Sequence, residues 1–425
     1  MLSMITRTLF ATGYGGQIHT LSFNPSTPSL ASTSSVSAGT APTWLTLHPT
    51  LPLLYTGDEF SSPDGVLSTF SIDDSNSSSL APIGHAGKSK EGPVHFVLSP
   101  DGGELYSACY SAGALSSTKL LDNGTFDADK RGQTFVYGGK GPNPDRQEGP
   151  HAHGVAIDPT GQFLFCTDLG TDQLHVYRIS KDRIDLATSI STAKGSGPRH
   201  LVFSKLSSNS TGSLFYLVSE LSNTVSVYEL VYPESDPAPP PPPAGLPPVE
   251  AIKAEDAGTP PPRPDPVPTP AVPTPKINPI QLDVSILPPN HTDLAPPGDW
   301  TAAELALSPD EKTLYVSNRA PVEPSLPKTD YMTIFSLDGA GKVVVEGGND
   351  TTTRFVELGG VGPRHFMSSP KATRGNDTDE EGKYMAVAFQ RTNEVVVYRV
   401  GGAEGLSEVA RVGGIEGATA VVWAN

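Results

Sequence analysis

The chain alternates short apolar runs with polar turns along most of its 425 residues. Six segments share one frame. An apolar run ends near a Ser-Pro, Asp-Pro or His-Pro pair (Ser-Lys in one segment), a polar turn follows, and a second apolar run carries Leu-Tyr or a similar pair. Several segments continue into a third run that contains Val-Tyr, as in QLHVYRI and EVVVYRV. The segments begin at Pro42, Pro93, Pro150, Pro198, Trp300 and Pro363. Short apolar runs bounded by turn residues predict β-strands, here three or four in each segment.

The spacing of these segments predicts a β-propeller. Their starts lie 51, 57, 48, 102 and 63 residues apart, and units of a few short strands at such intervals are typical of propeller blades. A seventh unit is divided between RTLFATGYGGQIHTLSF near the N-terminus and GATAVVWAN at the C-terminus. Pairing these two pieces in one blade would close the ring without an open sheet edge. We therefore expect an all-β fold, a single seven-bladed propeller over residues 1–425. Two β-sandwiches would explain neither the repeat nor the divided unit.

The long interval of 102 residues contains a proline-rich stretch, 233–275, with an unbroken run from Pro239 to Pro243. Proline lacks the amide that a sheet ladder needs, so this stretch favours polyproline II or disorder. It follows the Val-Tyr strand of the unit that begins at Pro198, which predicts a surface insertion within that blade. A passive loop is the simpler interpretation, and binding of a protein partner is the alternative.

Composition narrows the functional classes. The net charge of −17 argues against a general nucleic-acid binder, which would carry a basic surface, although one arginine cluster in a pocket could still bind a small anion. Two cysteines, Cys109 and Cys166, cannot build a disulfide framework or a multi-cysteine metal site. No apolar run reaches about 18 residues, so we expect no membrane span. The first residues are typical of a strand rather than a signal peptide, and we expect a cytoplasmic protein.

Because the units share one frame, their residues can be compared position by position. The string Gly-Pro-Arg-His, at 197–200 and at 362–365, contains one of the positions that vary between units. One position lies six residues before the proline (or its equivalent) that closes the first strand. This position is near the strand start, where the blades of a propeller converge on the central channel. Histidine or arginine fills it in three units only, so we expect those three side chains to meet at one opening. Around the ring it holds Thr43, Val94, His153, Arg199, Ala303 and Arg364.

A second frame position, four residues after the aromatic residue (or Met385) of the second strand, also varies. Charge stands out at Glu220, in LVSELSN, and at Arg319, in YVSNRA. A buried charge needs a partner or a ligand, so Glu220 either belongs to a site or pairs with Arg199 or Arg319 as an internal brace. The position holds Tyr14, Glu59, Tyr110, Leu169, Glu220, Arg319 and Phe389.

The pair His151 and His153 raises the question of a metal. Two imidazoles at this spacing share one strand face, which metal sites use, but a third ligand is not evident except Asp168 one strand later. We expect no metal and no cofactor. The histidine that follows the variable position in three units, His95, His200 and His365, is interpreted as a scaffold residue that hydrogen-bonds near the Gly-Pro turn.

The strings GPHAHGVAIDPTGQFLFCTDLGTDQLHVYRI, GPRHLVF, LVSELSNTVSVYEL, WTAAELALSPDEKTLYVSNR and GPRHF resemble the lactonase family of seven-bladed propellers. This family includes bacterial 6-phosphogluconolactonases and fungal carboxy-cis,cis-muconate cyclases, and the resemblance covers nearly the whole chain outside the proline-rich stretch. For the cyclases it implies a catalytic set that falls on His153, Arg199, Glu220 and Arg319. The chain also keeps GPRHF, with Arg364, as lactonase-type members do, which favours that branch.

These observations predict an enzyme that opens or forms an internal ester in a small polyanionic acid. Arg199 and Arg319, with Arg364 and His151 assisting, would bind the anion. His153, with a pKa near the working pH, would act as general base or acid, and Glu220 would orient a neighbour or transfer a second proton. A 6-phosphogluconolactonase-type hydrolase is the first hypothesis and a muconate-type cycloisomerase the second. A non-enzymatic interaction scaffold and a metal-dependent lactonase are further alternatives.

Overall fold

The computed structural model describes residues 6–73, 79–181, 183–205, 212–233, 274–289, 300–321, 330–345, 353–371, 381–402 and 405–424. Within these residues lie seven antiparallel sheets of four strands each, as the repeat predicted. In chain order the strands are β1 Arg7–Gly13, β2 Gln17–Asn24, β3 Ser29–Ser37, β4 Pro42–Leu47, β5 Leu53–Asp58, β6 Asp64–Asp73, β7 Ser79–Lys90, β8 Pro93–Leu98, β9 Glu104–Cys109, β10 Ala114–Leu120, β11 Phe126–Val136, β12 Ala152–Ile157, β13 Phe163–Asp168, β14 Gln173–Ile179, β15 Ile184–Ser191, β16 Pro198–Phe203, β17 Gly212–Ser219, β18 Thr224–Val231, β19 Lys276–Ser285, β20 Thr301–Leu307, β21 Thr313–Arg319, β22 Asp330–Ser336, β23 Thr353–Leu358, β24 Pro363–Ser368, β25 Tyr384–Phe389, β26 Glu394–Val400, β27 Leu406–Gly413 and β28 Ala418–Trp423.

The two ends of the chain meet in one blade. Blade 1 has the strand order β28-β1-β2-β3, so the last strand of the chain is its innermost strand. Leu9 of β1 pairs with Trp423 of β28, and the indole of Trp423 donates to the carbonyl of Met367 in the neighbouring blade. The predicted closure by terminal strands is therefore confirmed. Blades 2 to 7 follow as β4–β7, β8–β11, β12–β15, β16–β19, β20–β23 and β24–β27.

Among the residues that the structure describes, the core forms seven apolar layers, one between each pair of neighbouring blades. Tyr106 of blade 3 and Val155 of blade 4 belong to one layer, and Tyr315 of blade 6 and Phe366 of blade 7 belong to another. The remaining layers follow the same scheme. Because each blade packs both faces against its neighbours, the inner strands are largely buried, whereas outer strands such as β3 and β7 are mostly exposed. The innermost strands contact one another around the channel.

A recurrent irregularity at the start of the innermost strands shapes the channel. The pairing register shifts between Pro198 and His200, and again between Pro363 and His365. One extra residue, Arg199 or Arg364, therefore lies in a bulge, which breaks the strict alternation of faces and re-aims side chains. The preceding glycine of the Gly-Pro pair has φ of +62° at position 197 and +77° at 362, a conformation that favours glycine. The Gly-Pro pair thus belongs to the turn that precedes the innermost strand in both units.

The proline-rich stretch falls largely outside the described residues. Its flanks are described: β18 ends at Val231, β19 begins at Lys276, and these two residues are paired. The stretch therefore connects the third and fourth strands of blade 5, in the blade that the sequence predicted. Since Arg199 lies at the start of β16, antiparallel pairing puts the Val231 end of β18 on the opposite face of the propeller from Arg199.

Candidate active site

A cavity of about 820 Å³ opens where the innermost strands begin. Most of its wall comes from the starts of these strands and from residues at the ends of the second strands or just after them, because antiparallel pairing brings both to one face. Four arginines and two glutamates line it, so the cavity carries net positive charge within a chain of net charge −17. Such a site suits a small anion. The ionisable and aromatic lining residues are Tyr14, Glu59, Tyr110, Arg146, His153, Glu220, Arg319, Arg364 and Arg391.

Both frame positions from the sequence lead to this cavity. The second position contributes five of its seven members, namely Tyr14, Glu59, Tyr110, Glu220 and Arg319. The first position contributes Val94, His153 and Arg364. Arg199 occupies the same position but is only 2% exposed and does not line the cavity.

Glu220 binds three arginines. Its carboxylate lies 2.7 Å from Arg146, 2.9 Å from Nε of Arg199 and 3.2 Å from Arg319. Although burial acts to raise the pKa of Glu220, the three guanidinium groups lower it far below its usual range. Glu220 is therefore ionised at all ordinary pH values, and the proton-transfer role considered for it is disfavoured. The pairing with Arg199 and Arg319 that the brace interpretation required is present.

Arg199 is held behind Glu220 rather than beside the cavity. Its Nη1 also donates to the carbonyl of Ala303 in blade 6. Burial lowers the pKa of Arg199 to about 10, while Glu220 acts in the opposite direction. A guanidinium in this place fixes the carboxylate and links two blades, so it supports the cavity wall from behind.

Arg146 was not found by the repeat comparison, because it lies on the connection between β11 and β12, outside the shared frame. The neighbouring Gln147 is fully buried and donates to Leu169 O and to the carboxylate of Asp172, both at 2.8 Å. These bonds hold the connection against blade 4. Arg146 is thereby directed across the cavity to Glu220.

Arg364 differs from the other central arginines. Its guanidinium carbon lies 5.8 Å from the centre of the Tyr14 ring, a cation–π contact. Tyr14 in turn donates towards Glu59 at 3.5 Å. Within the described part of the chain, no carboxylate is within ion-pair distance of Arg364. Its hydrogen-bond donors therefore remain available to an anion in the cavity.

His153 lines the cavity and is 5% exposed. Burial lowers its pKa well below the usual value, and the nearby positive charge of Arg199 lowers it further. The expectation of a pKa near the working pH is therefore wrong: the ring is neutral at neutral pH. Its Nδ1 lies 3.2 Å from Nε2 of His200, which leaves Nε2 of His153 for contact with a ligand or water.

His151 does not line the cavity. Its ring stacks on Tyr110 at 4.3 Å, and its Nε2 lies 3.0 Å from Glu148. Asp168 accepts the backbone amide of His151 and the hydroxyl of Thr171. Both His151 and Asp168 are thus held by contacts with neighbouring residues of the protein. Among the described residues, no group of three or more His, Cys, Asp or Glu side chains has an arrangement that could hold a metal ion.

The three scaffold histidines are not equivalent. His95 accepts the amide of Val155, and His365 accepts the amide of Val421, so each bonds the following blade. His200 instead lies between His153 and Glu304. The scaffold interpretation therefore fits two of the three. Glu304 occupies the matching position in blade 6, and comparing that position across the units would have revealed it.

Comparison with known proteins is consistent with this architecture. The family model described as lactonase, 7-bladed beta-propeller, matches residues 5–236 and 280–423, and the chain belongs to this family. A protein of Arthroderma benhamiae named "Probable 6-phosphogluconolactonase" is 27% identical, over 90% of this chain and 79% of its own length. The 6-phosphogluconolactonase of Formosa agariphila is 24% identical, over 91% and 88%. The solved periplasmic gluconolactonase of Pseudomonas aeruginosa superposes with a TM-score of 0.69 at 22% identity, covering 99% of each chain, and shares the fold.

Among the residues that the structure describes, no helix has the length and apolar character needed to cross a lipid bilayer.

Proposed function

We propose that this protein hydrolyses the internal ester of a small phosphorylated sugar acid, as a lactonase of the 6-phosphogluconolactonase type. The observation that carries the proposal is the pairing of a neutral His153 with an arginine-rich cavity in which Arg364 has no carboxylate partner among the described residues. A neutral imidazole accepts a proton from water, and free guanidinium donors bind phosphate or carboxylate. The relatives named 6-phosphogluconolactonase support the same substrate class.

The proposed reaction has two proton transfers. Nε2 of His153 takes a proton from water as its oxygen bonds to the lactone carbonyl carbon. Arg319 or Arg364 stabilises the negative charge that develops on the carbonyl oxygen. The ring C–O bond then breaks, and the protonated His153 returns its proton to the leaving oxygen. Because burial lowers the pKa of His153, its protonated form is a stronger acid than an ordinary imidazolium, which favours this second step.

The arginines then divide into two groups. Arg364, Arg319 and the outer Arg391 would contact the substrate, since they line the cavity. Arg199, although expected from the sequence to bind substrate, would act through Glu220 as a positioning residue.

Lactone formation by a muconate-type cyclisation is the second candidate. His153, Glu220 and Arg319 line one cavity with Arg199 directly behind them, which is the set that the family resemblance implies for cyclases. In that reaction the protonated imidazole would donate to carbon. The neutral state of His153 and the presence of Arg364 favour hydrolysis.

A substrate panel tests both candidates. Purified protein is assayed with 6-phosphogluconolactone, an unphosphorylated sugar lactone and carboxymuconate, in parallel with His153→Gln. Turnover of the phosphorylated lactone that His153→Gln abolishes supports hydrolysis, and turnover of carboxymuconate alone supports cyclisation. If none of the compounds reacts, both enzyme proposals are rejected in favour of an interaction scaffold. Loss of lactonase activity after chelation, with recovery on adding Zn²⁺ or Mn²⁺, would contradict the metal-free mechanism.

A further inference from the structure

A buried chain of three side chains leads away from the cavity. Nδ1 of His153 lies 3.2 Å from Nε2 of His200, and Nδ1 of His200 lies 2.9 Å from Oε2 of Glu304. All three residues are less than 8% exposed. They come from the innermost strands of three consecutive blades, β12, β16 and β20, so the packing of these blades side by side brings them together.

The carboxylate of Glu304 determines which ring nitrogens of His200 and His153 carry a proton. Glu304 Oε2 has one hydrogen-bond partner among the described residues, Nδ1 of His200, and a buried carboxylate oxygen without a donor is costly. His200 therefore carries its proton on Nδ1, and its Nε2 is an acceptor. Nδ1 of His153 must then donate to it, which leaves Nε2 of His153 unprotonated at the cavity.

The guanidinium of Arg199 is a second neighbour of Nδ1 of His200, besides Glu304. Its Nη1 lies 3.2 Å from Nδ1 of His200, but a guanidinium can only donate. The same Nη1 has the carbonyl of Ala303 as an acceptor. Arg199 is thus satisfied without His200, whereas Glu304 Oε2 is not, and the proton on Nδ1 of His200 points to Glu304.

We propose that His200 and Glu304 are positioning residues that hold His153 in the Nδ1-protonated tautomer, so that Nε2 faces the substrate as a base. The proposal rests on the proposed function of His153 for its kinetic consequence, but the tautomer itself does not depend on any activity. The arrangement follows the same logic as a carboxylate–histidine pair that sets the tautomer of a catalytic imidazole, with one additional imidazole between them.

The substitution Glu304→Gln tests this without changing the shape of the side chain. Oε1 of Glu304 accepts the amide of Leu305 at 3.0 Å, so that donor will orient the glutamine oxygen in the same place. The glutamine NH₂ group then faces Nδ1 of His200 and requires it to accept. His200 must carry its proton on Nε2, and His153 must carry its own on Nε2 as well.

Two measurements separate this inference from the proposed function. Long-range ¹H–¹⁵N correlation with ¹⁵N-labelled histidine, assigned with His153→Gln, reads the tautomers directly in the full-length protein. The expected result is an Nδ1-protonated His153 in the wild type and an Nε2-protonated His153 in Glu304→Gln. A wild-type His153 protonated on Nε2 overturns the proposal even if Glu304→Gln does not fold, and so does an unchanged tautomer in a folded variant.

The kinetic measurement uses the phosphorylated lactone. Glu304→Gln is expected to lower kcat roughly 10²-fold or more while KM changes little, as for the loss of general-base catalysis. Glu104→Gln is the matched control, because Glu104 is also a buried glutamate (7% exposed). Glu104 lies at the start of β9, on the face of the propeller opposite the cavity, and forms an ion pair with Lys119 of β10. Equal loss of kcat in both variants would contradict a specific role for Glu304. If the wild type has no lactonase activity, only the proposed function fails, and the tautomer measurement still decides the inference.

Discussion

Nε of Arg199 lies 2.9 Å from Oε2 of Glu220; both side chains are buried, Glu220 in the cavity wall and Arg199 behind it. Glu220 also binds Arg146 and Arg319, so one carboxylate holds three guanidinium groups in place. This relationship assigns different duties to the two copies of Gly-Pro-Arg-His. Arg199 supports the wall, and Arg364, in the matching position of the other copy, is a part of the wall.

The first prediction concerns Arg199 and stability. Arg199→Met should lower the free energy of unfolding by about 3 kcal/mol, because it removes a partner from a buried ion pair. Urea denaturation of the variant and the wild type measures this. Arg411→Met is the control, since Arg411 forms its ion pairs with Glu394 and Glu408 near the surface and should cost less than about 1 kcal/mol. An Arg199 variant of normal stability with a raised KM would instead indicate direct substrate binding.

The second prediction concerns Arg364 and substrate affinity. Arg364→Met should raise KM for a phosphorylated lactone roughly 10- to 100-fold, the range expected when a charge-assisted hydrogen bond of about 1.5–3 kcal/mol is lost. Stability should change little, because no ion pair within the described residues depends on Arg364. Steady-state kinetics with phosphorylated and unphosphorylated lactones provide the comparison. An equal effect on both substrates would show that Arg364 does not contact the phosphate.

The third prediction concerns His153. His153→Gln should reduce kcat by about 10²- to 10⁴-fold, the usual contribution of a general base, with a KM close to that of the wild type. Binding is expected to be retained because the substitution leaves the cavity arginines Arg319, Arg364 and Arg391 in place. Stopped-flow or pH-stat assays measure the loss. A variant that keeps more than a tenth of wild-type kcat would remove His153 from the mechanism.

The fourth prediction concerns pH and stability. Burial lowers the pKa of His95, His153, His200 and His365 in the folded protein. The unfolded chain therefore binds more protons below about pH 6.5, the ordinary histidine pKa. The free energy of unfolding is therefore highest, as far as these histidines are concerned, above about pH 6.5. It decreases as the pH falls from there towards the lowered pKa values of the histidines in the folded protein. Each histidine contributes a slope of up to about 1.4 kcal/mol per pH unit.

Thermal denaturation between pH 7.5 and pH 5 checks this trend. His95→Gln, whose amide oxygen can still accept the Val155 amide, should show a shallower decline in Tm than the wild type. His85→Gln serves as a comparison and should leave the slope unchanged, because His85 is exposed on β7, the outermost strand of blade 2, away from the four channel histidines. Identical slopes in the wild type and His95→Gln would contradict the assignment.

The fifth prediction concerns the proline-rich insertion. Val231 and Lys276 are paired in adjacent strands, so residues 236–272 can be replaced by a short Gly-Ser turn without separating the strands. Because these flanks lie on the face opposite the cavity, kcat and KM should be unchanged within about twofold. The assay uses the same lactone substrate. A marked loss of activity with an intact fold would show that the insertion contributes to the site.

The repeat in the sequence was sufficient to predict the ring, the number of blades and the closure by β28 and β1, because each blade carries the same alternation of apolar strands and turns. It also identified His153, Glu220, Arg319 and Arg364 as cavity residues, since a charge that interrupts an otherwise apolar frame position must find a partner or a ligand.

The sequence could not distinguish Arg199 from Arg364, which stand in the same four-residue string, nor show that Arg146 reaches Glu220 from a connection outside the frame. It equally gave no reason to separate His200 from His95 and His365. These differences arise from which residues of the same blade and of neighbouring blades face each copy. Glu304 faces His200 and Glu220 faces Arg199, whereas Tyr14 faces Arg364. Glu304 and His200 are 104 residues apart and Tyr14 and Arg364 are 350 apart, and these contacts form only when different blades pack together. The contact of Glu220 with Arg199 spans 21 residues and lies within one blade.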